Sequence, residues 1–261
     1  MLRVAFRCGA EAMTCAAIVQ ARLGSTRLPG KVLMDLAGKP VLQHVLERCA
    51  QVPEIDVVVC AIPDAPDNAP LADLAHKSGT QVFRGSETDV LARFIGAARS
   101  VDAHTVLRVT SDCPLIDPDV CSRVVKLLMT SGADYASNIT PRSFPQGLDC
   151  EAFRASTLDE AAHSTLALDH EHVTPWHRKA NHIKRVNVLS GTPKLANLRW
   201  TVDFPEDLEF LRAVFAHLPR GNPGRMADVL EVLRIHPALA TINECRQETE
   251  FVVSTRQSET E

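Results

Sequence analysis

The chain has 261 residues, 45% of them hydrophobic and 23% charged, with a net charge of -4. It is long enough to bury a core without staples, as one large domain or two modest ones. Weak net acidity argues against bulk nucleic-acid binding, which usually shows a strong basic bias. No apolar run reaches membrane-spanning length, so no membrane partner is expected. Arg3 and Arg7 are followed by Glu11 before any adequate apolar stretch, which argues against a signal peptide. The eight cysteines are scattered with no C-x-x-C pair, and most lie in apolar runs such as VVVCAI around Cys60. They read as reduced core residues, which makes the cytoplasm the expected compartment.

Residues 1–12 read as a flexible extension or an upstream start, because Met13 immediately precedes the first strand-like run. AAIVQ (16–20) is predicted to be a buried strand, and Val41, Leu42, Val45, Leu46 and Cys49 have helical spacing within 39–51. DVVVCAI (56–62) reads as a strand and 70–79 as a helix stopped by Gly79. Strand 80–84, helix 88–100, strand 104–110 and helix 118–131 follow. Residues 138–183 hold more loop signals and five of the ten histidines, and read as an insertion with short strands and two helices. A strand is predicted again at 197–203, then a helix at 205–218 and two short helices within 225–246. The polar residues 247–261 read as a flexible tail. Apolar strands alternating with amphipathic helices imply a largely parallel sheet covered on both faces. Ligands on such sheets gather at the C-terminal ends of the strands.

The loop after the first strand, QARLGSTRLPGKVL, carries Arg22, Arg27 and Lys31, and no acidic residue falls between Thr14 and Met34. Small residues let a backbone approach phosphate oxygens, and clustered cations neutralise them. The loop is not a Walker motif: five residues separate Gly24 from Gly30, and Val32 stands where that motif has its hydroxyl. No G-x-G-x-x-G occurs, which disfavours a dinucleotide oxidoreductase. A solvated turn is the plain alternative, but three uncompensated cations are costly unless an anion visits. A triphosphate needs a cation, and magnesium takes a few carboxylates plus phosphate and water oxygens. Asp112 and Asp203 each end an apolar run. Either alone could be a cap or turn residue; as a pair opposite the basic loop they suit magnesium.

Six segments occur in order: QARLGSTRLPGKVL, FRGSETDVLARF, SDCPLIDP, GLDCEAF, EHVTP and LRWTVDFPEDLEFL. Together they resemble the cytidylyltransferase family that includes the CMP-sugar synthetases for sialic acids and 3-deoxy-manno-octulosonate. The resemblance is greatest to its spore coat polysaccharide biosynthesis protein F branch and covers about residues 15–245. It implies a three-layer α/β/α, Rossmann-like nucleotidyltransferase fold with a mostly parallel sheet and an inserted α+β segment. The single domain would span 13–246, with 138–190 carrying acceptor and dimer contacts. The implied reaction transfers CMP from CTP to an acidic sugar or similar acceptor and releases pyrophosphate, in cell-surface polysaccharide or glycan biosynthesis. The implied enzyme is a cytoplasmic homodimer that uses Mg2+.

Carried over by motif position, Ala21, Arg22, Leu23, Gly24, Ser25, Arg27 and Lys31 would bind the nucleotide, chiefly its triphosphate. Ala61, Ile62, Pro63, Arg84, Gly85 and Ser86 would frame base and ribose. Asp112 and Asp203 would bind magnesium, and Gln146, Asp149, Glu151, Glu171 and His172 would meet the acceptor. Arg22, Lys31 and Asp112 are the expected catalytic set, offsetting charge while the acceptor oxygen attacks the α-phosphorus. The chain departs from the family in having Ser111, where glycine commonly precedes the first metal aspartate, and in reading QGLDCE with Gln146, where members often have Asp-Gly-Leu-Asp. Both departures bear on the acceptor.

Other readings of single residues stay open. Asp169, His170, His172 and His177 are candidate zinc ligands without H-E-x-x-H or cysteine support. His172 reads equally as a side chain bonded to backbone near Thr174 or as an acceptor or interface contact. Asp149 and Glu151 share one face of a strand-like segment, where a plain polar edge is the alternative. Trp176 and Trp200 read as packing residues. Rival functions are a nucleotidyltransferase using another nucleotide or a phosphonate acceptor, a glycosyltransferase of related build, or a non-catalytic nucleotide-binding protein. The last would be expected to have lost Lys31 or a metal aspartate, and neither is lost.

Overall fold

The computed structural model describes residues 13–219 and 224–246. The expected extension at 1–12, which includes Cys8, and the tail at 247–261 lie outside the described residues. β1 (Thr14–Gln20) is fully apolar between its ends and buried on both faces. After it come a one-turn 3-10 helix (Lys31–Leu33) and a two-stranded hairpin of β2 (Asp35–Leu36) and β3 (Lys39–Pro40). Then follow α1 (Val41–Cys49), β4 (Val57–Pro63), α2 (Ala69–Lys77), β5 (Gln81–Gly85), α3 (Val90–Arg99) and β6 (Ala103–Thr110). α4 (Pro118–Ser131) starts at Asp117, whose carboxylate accepts the Asp119 N–H, and ends at Gly132 in the left-handed region.

The remaining elements are β7 (Tyr135–Ser137), β8 (Glu151–Arg154), α5 (Ser156–Ala161), α6 (Ala167–His172), α7 (Pro175–Lys179), β9 (Arg185–Asn187), α8 (Pro205–His217) and α9 (Met226–Ile235). The seven-stranded sheet has the order β5-β4-β1-β6-β8-β7-β9. β5, β4, β1 and β6 run parallel, β8 is antiparallel to both its neighbours, and β7 pairs parallel with β9. Side chains alternate across β1. Cys15, Ala17 and Val19 join the core under α1, α4 and α8, while Ala16 and Ile18 join the one under α3 and α5. This is the mostly parallel three-layer fold that the alternating pattern implied.

From β1 the chain steps outward to β4 and β5, then crosses back to β6 on β1's other side. The loops after β1 and β6 therefore diverge at their C-terminal ends and leave a crevice between them. The Ser111 N–H donates to the Gln20 carbonyl at 3.2 Å, so the two loops start side by side.

Three sequence expectations are corrected. Residues 197–203 are not a strand. A 3-10 turn covers Pro193–Asn197, and Arg199 makes an isolated bridge to Gln146. Leu198, Trp200 and Val202 pack on the larger core, but backbone bonds of this segment go to Gln146 and Asp112, not to a sheet neighbour. The inserted region holds three short helices, α5 to α7, where two were expected. Asp149 precedes β8, so it does not continue a shared strand face with Glu151. Cys15, Cys49, Cys60, Cys113, Cys121 and Cys150 are buried free thiols, and Cys245 is exposed. Trp200 is wholly buried in the larger core and Trp176 packs on the smaller one.

Candidate active site

The loop after β1 folds tightly on itself. The Ala21 N–H donates to the Ala61 carbonyl at 3.1 Å, and Ser25 and Gly30 both donate to the Leu23 carbonyl, at 2.8 and 3.3 Å. Ser25 Oγ accepts from the Leu28 N–H at 3.3 Å, and Asn68 accepts from Leu23 at 3.4 Å. Gly30, at φ +71°, is in the left-handed region that favours glycine and turns the chain into the 3-10 helix that begins with Lys31. This turn aims Lys31 back across the crevice. Its ammonium donates to Asp112 Oδ2 at 2.8 Å, to Asp203 Oδ1 at 2.8 Å and to the Val202 carbonyl at 2.7 Å.

Asp112 is held by the loop after β6. Its carbonyl accepts from the Val202 N–H at 2.8 Å and from Thr201 Oγ at 3.1 Å, which clamps segment 200–203 against it. Asp203 is held from the other side by the start of α8. Its N–H donates to Asp207 Oδ2 at 2.9 Å, and Arg199 bridges both carboxylates, at 3.2 Å to Asp203 and 2.9 Å to Asp207. Arg27 adds a contact of 3.1 Å to Asp203 Oδ1 and lies 5.1 Å over the Phe204 ring. Burial opposes the Lys31 charge, but Asp112 and Asp203 outweigh it and hold the ammonium pKa above its ordinary value. Burial likewise pushes the Asp112 carboxyl up, and the Lys31 charge and hydrogen bond outweigh it to hold that group below its ordinary value.

Arg27, Lys31, Asp112 and Asp203 line a cleft of about 210 Å³ together with Arg22, Gly24, Ser25, Thr110, Ser111, Val90, Arg93, Glu171 and His172. The cleft thus brings together the basic loop, both aspartates and two of the acceptor candidates. The base-and-ribose candidates Ala61, Ile62, Pro63, Arg84, Gly85 and Ser86 end β4 and β5 beside the loop but do not line the cleft. Gln146, Asp149 and Glu151 do not line it either. Gln146 accepts from Arg199 at 3.1 Å, and Asp149 is paired by both Arg142 Nη atoms, one at 2.9 Å. Burial raises the Asp149 carboxyl pKa despite that pair.

Glu151 is the hub of a buried network instead. Its carboxylate accepts from the Tyr135 hydroxyl, from Arg108 at 2.5 Å, from Arg178 at 2.7 Å and from Thr174 at 3.1 Å. Burial pushes its pKa up, but the two guanidiniums and their hydrogen bonds pull it down to about 2. The network backs a strained turn: Val173 has φ +69° and ψ -48°, and the Thr174 N–H donates to the His172 carbonyl at 2.8 Å. A β-branched residue adopts this γ-turn only under outside constraint. The turn leaves the exposed Glu171 and His172 side chains at the cleft. His172 makes its backbone bond through its carbonyl, not its ring. His170 anchors the same helix, its ring contacting Asp89 at 3.0 Å and the Ser164 carbonyl at 2.9 Å.

No group of three or more His, Cys, Asp and Glu side chains among the described residues could hold a metal ion, so the zinc reading finds no site there. His177 in particular is buried, with its ring on Thr157 at 2.9 Å, and burial lowers its pKa to about 4. Two converging carboxylates match magnesium, which takes its remaining ligands from phosphate and water. Asp112 Oδ1 accepts from the Cys113 thiol at 3.7 Å. Sequence reasoning missed Arg93, Thr110 and Val90 in the cleft. For Arg93 a signal existed: it is a cation on the apolar stripe that includes Val90, Phe94 and Ala97.

Among the described residues no helix is long and apolar enough to cross a membrane. A family profile described as Cytidylyltransferase matches residues 16–216. The spore coat polysaccharide biosynthesis protein SpsF of Bacillus subtilis is 30% identical over 235 residues, covering 87% of this chain and 97% of that protein. A 3-deoxy-manno-octulosonate cytidylyltransferase of Trichlorobacter lovleyi is 38% identical over 119 residues, 44% of each chain. A cytidylyltransferase structure from Leptospira borgpetersenii superposes with a TM-score of 0.82 at 29% identity, covering 87% of this chain and 97% of that one. With its basic loop and aspartate pair at the mouth of a nucleotidyltransferase sheet, the chain belongs to the cytidylyltransferase family and is a CTP-dependent nucleotidyltransferase.

Proposed function

We propose that the protein transfers CMP from CTP to the oxygen of an acidic sugar or similar acceptor and releases pyrophosphate, in the cytoplasm and in service of surface polysaccharide synthesis. The observation that carries this reading is the convergence of Lys31 and Arg27 on Asp112 and Asp203, with Arg22 in the same cleft. The acceptor oxygen forms a bond to the α-phosphorus as the bond to the β-phosphate oxygen breaks. Lys31 and Arg22 offset charge on the departing pyrophosphate, and the loop backbone around Gly24 and Ser25 lets phosphate approach. Asp112 and Asp203 would hold magnesium; when bound, it supplies positive charge to the triphosphate. Ala61 to Pro63 and Arg84 to Ser86, at the ends of β4 and β5, would frame base and ribose.

Glu171 and His172, presented at the cleft by the turn at Val173, are the acceptor contacts this reading favours; Asp149 and Gln146 act from farther out. The acceptor's acidity is supported by the cleft's cations and by the named relatives. Homodimerisation through 138–190 is supported by Leu166, Leu168 and Leu189, large apolar side chains left exposed in that segment. The test is pyrophosphate release with CTP, UTP, ATP and GTP in turn, each with magnesium and a panel of acidic sugars and phosphonates. Release only with CTP, magnesium and an acidic acceptor is expected. Release with another nucleotide in preference to CTP, or with none, would overturn the reading.

A further inference from the structure

Arg93 occupies a position that none of the nucleotide or acceptor assignments uses. It lies one turn into α3 on the stripe that packs against the sheet, and it is only 2% exposed. Its stem packs under the end of β5, where a Cβ added at Gly85 would meet its Cγ at 3.1 Å. Nη1 donates to the Ser86 carbonyl and, at 3.5 Å, to that of Glu87. Both acceptors are neutral. Nε is buried and has no partner, and no carboxylate pairs with the guanidinium among the described residues. Yet the side chain lines the cleft.

A guanidinium stays charged even when buried. Here burial and the like charge of Arg22 work against it and outweigh the nearby Glu87 and Asp89 carboxylates, so its pKa is lowered. Holding such a charge without an ion-pair partner is unfavourable unless a ligand supplies one. The contrast with the rest of the cleft is informative. Lys31 and Arg27 already face Asp112 and Asp203, so their charge is matched. Arg22 forms no ion pair among the described residues, and it shares the cleft with Arg93. The cleft therefore has an acidic end, which suits the transferred phosphorus and its metal, and an end where Arg22 and Arg93 have no ion-pair partner among the described residues. Pyrophosphate carries most of the triphosphate's negative charge, is repelled by the aspartates and matches a guanidinium fork.

Resting on CTP as the donor, we propose that Arg93, together with Arg22, binds the β- and γ-phosphates of the nucleotide and the pyrophosphate that leaves. Arg93 is thereby a specificity-determining residue for the triphosphate over the monophosphate. The carbonyls of Ser86 and Glu87 fix its guanidinium, so it also couples the phosphate end to the loop that frames the ribose.

The test is calorimetric titration of pyrophosphate, CTP and CMP, with magnesium present, into the full chain and into Arg93→Gln and Arg93→Lys. Losing a charge-assisted phosphate contact should weaken pyrophosphate and CTP by about 10- to 100-fold in Arg93→Gln and by about tenfold in Arg93→Lys, which keeps the charge but not the fork. CMP affinity should not change. Pyrophosphate and CTP bound as well by the variants as by the parent would overturn the proposal. So would equal losses for CMP and pyrophosphate, or an effect confined to the acceptor's KM. If Arg93→Gln does not fold, Arg93→Lys alone decides by the same split. A parent chain that binds neither CTP nor pyrophosphate would overturn the nucleotide reading itself, which is a different result from parent binding with indifferent variants.

Discussion

Replacing Lys31 with methionine removes the charge at the centre of the site and keeps most of the stem's volume. The ammonium donates to two carboxylates and a carbonyl. Each charge-assisted bond contributes about 1.5–3 kcal/mol, so the two carboxylate bonds give about 3–6 kcal/mol gross. The Lys31 and Asp203 side chains are 11% and 10% exposed, but Asp112 is 24% exposed and partly screened. Desolvation of the ammonium and screening at Asp112 reduce the net to about 3 kcal/mol. For a domain of this size that is about 6–12 °C in Tm, readable by thermal melting.

The pH dependence gives a second readout. Asp112 titrates below its ordinary value, so its share of the stability is present above that value and lost as pH falls through the lowered one. Lys31 titrates above its ordinary value, so its share is present below that value and lost only as pH rises through the raised one. The gap between parent and Lys31→Met should therefore be widest near neutrality and close in acid. Equal melting temperatures at neutral pH, or a gap that persists unchanged after the carboxylates are protonated, would refute the reasoning.

Three further outcomes follow from the geometry. Glu151→Ala takes the carboxylate from Arg108, a mostly buried cation with a 13% exposed side chain, and from the more exposed Arg178, and should cost about 3 kcal/mol in urea unfolding, most of it from Arg108; because Glu151 titrates at about 2, the parent should keep this contribution well below the ordinary carboxylate range. Gly147→Ala should be destabilising by about 3 kcal/mol or more and should weaken CTP binding, since φ is +102° there and an added Cβ would lie 2.6 Å from the Trp200 backbone carbon, in the segment that carries Asp203. His170 makes its ring contacts to a carbonyl and a carboxylate, Ser164 and Asp89, and these raise its pKa, so the α6 anchor is in place below the ordinary histidine value and loosens as pH rises through the raised one. Hydrogen exchange at α6 amides should quicken across that rise in the parent and lose the step in His170→Gln.

What the sequence disclosed follows from how local each signal is. β1 and the loop after it were legible because a continuous apolar run and an uncompensated set of cations are adjacent in the chain. Asp112 and Asp203 were legible as the ends of apolar runs, even though 197–203 is not a strand. Its apolar residues Leu198, Trp200 and Val202 do pack on the larger core, although Arg199, Thr201 and Asp203 between them are buried as well. The segment is held by backbone bonds to Gln146 and Asp112 and not by a strand, a distinction that periodicity does not carry. The Glu151 network joins β6, β7, β8 and α7, and only the folded chain brings its charges together. Its motif position made Glu151 an acceptor candidate, and motif position does not show what a side chain pairs with. Arg93 carries no motif signal, and a helical arginine is ordinarily solvated, although its place on the apolar stripe of α3 is readable.

The most direct measurement is calorimetric titration of CTP with and without magnesium, into the parent chain and into Asp112→Asn. If Lys31, Asp112 and Asp203 form one triphosphate and metal site, the parent should bind CTP more tightly when magnesium is present. Asp112→Asn should remain folded, because its clamp on segment 200–203 runs through its carbonyl, and should lose the magnesium enhancement. CTP binding that is indifferent to magnesium in the parent, or an enhancement that survives in Asp112→Asn, would contradict the account.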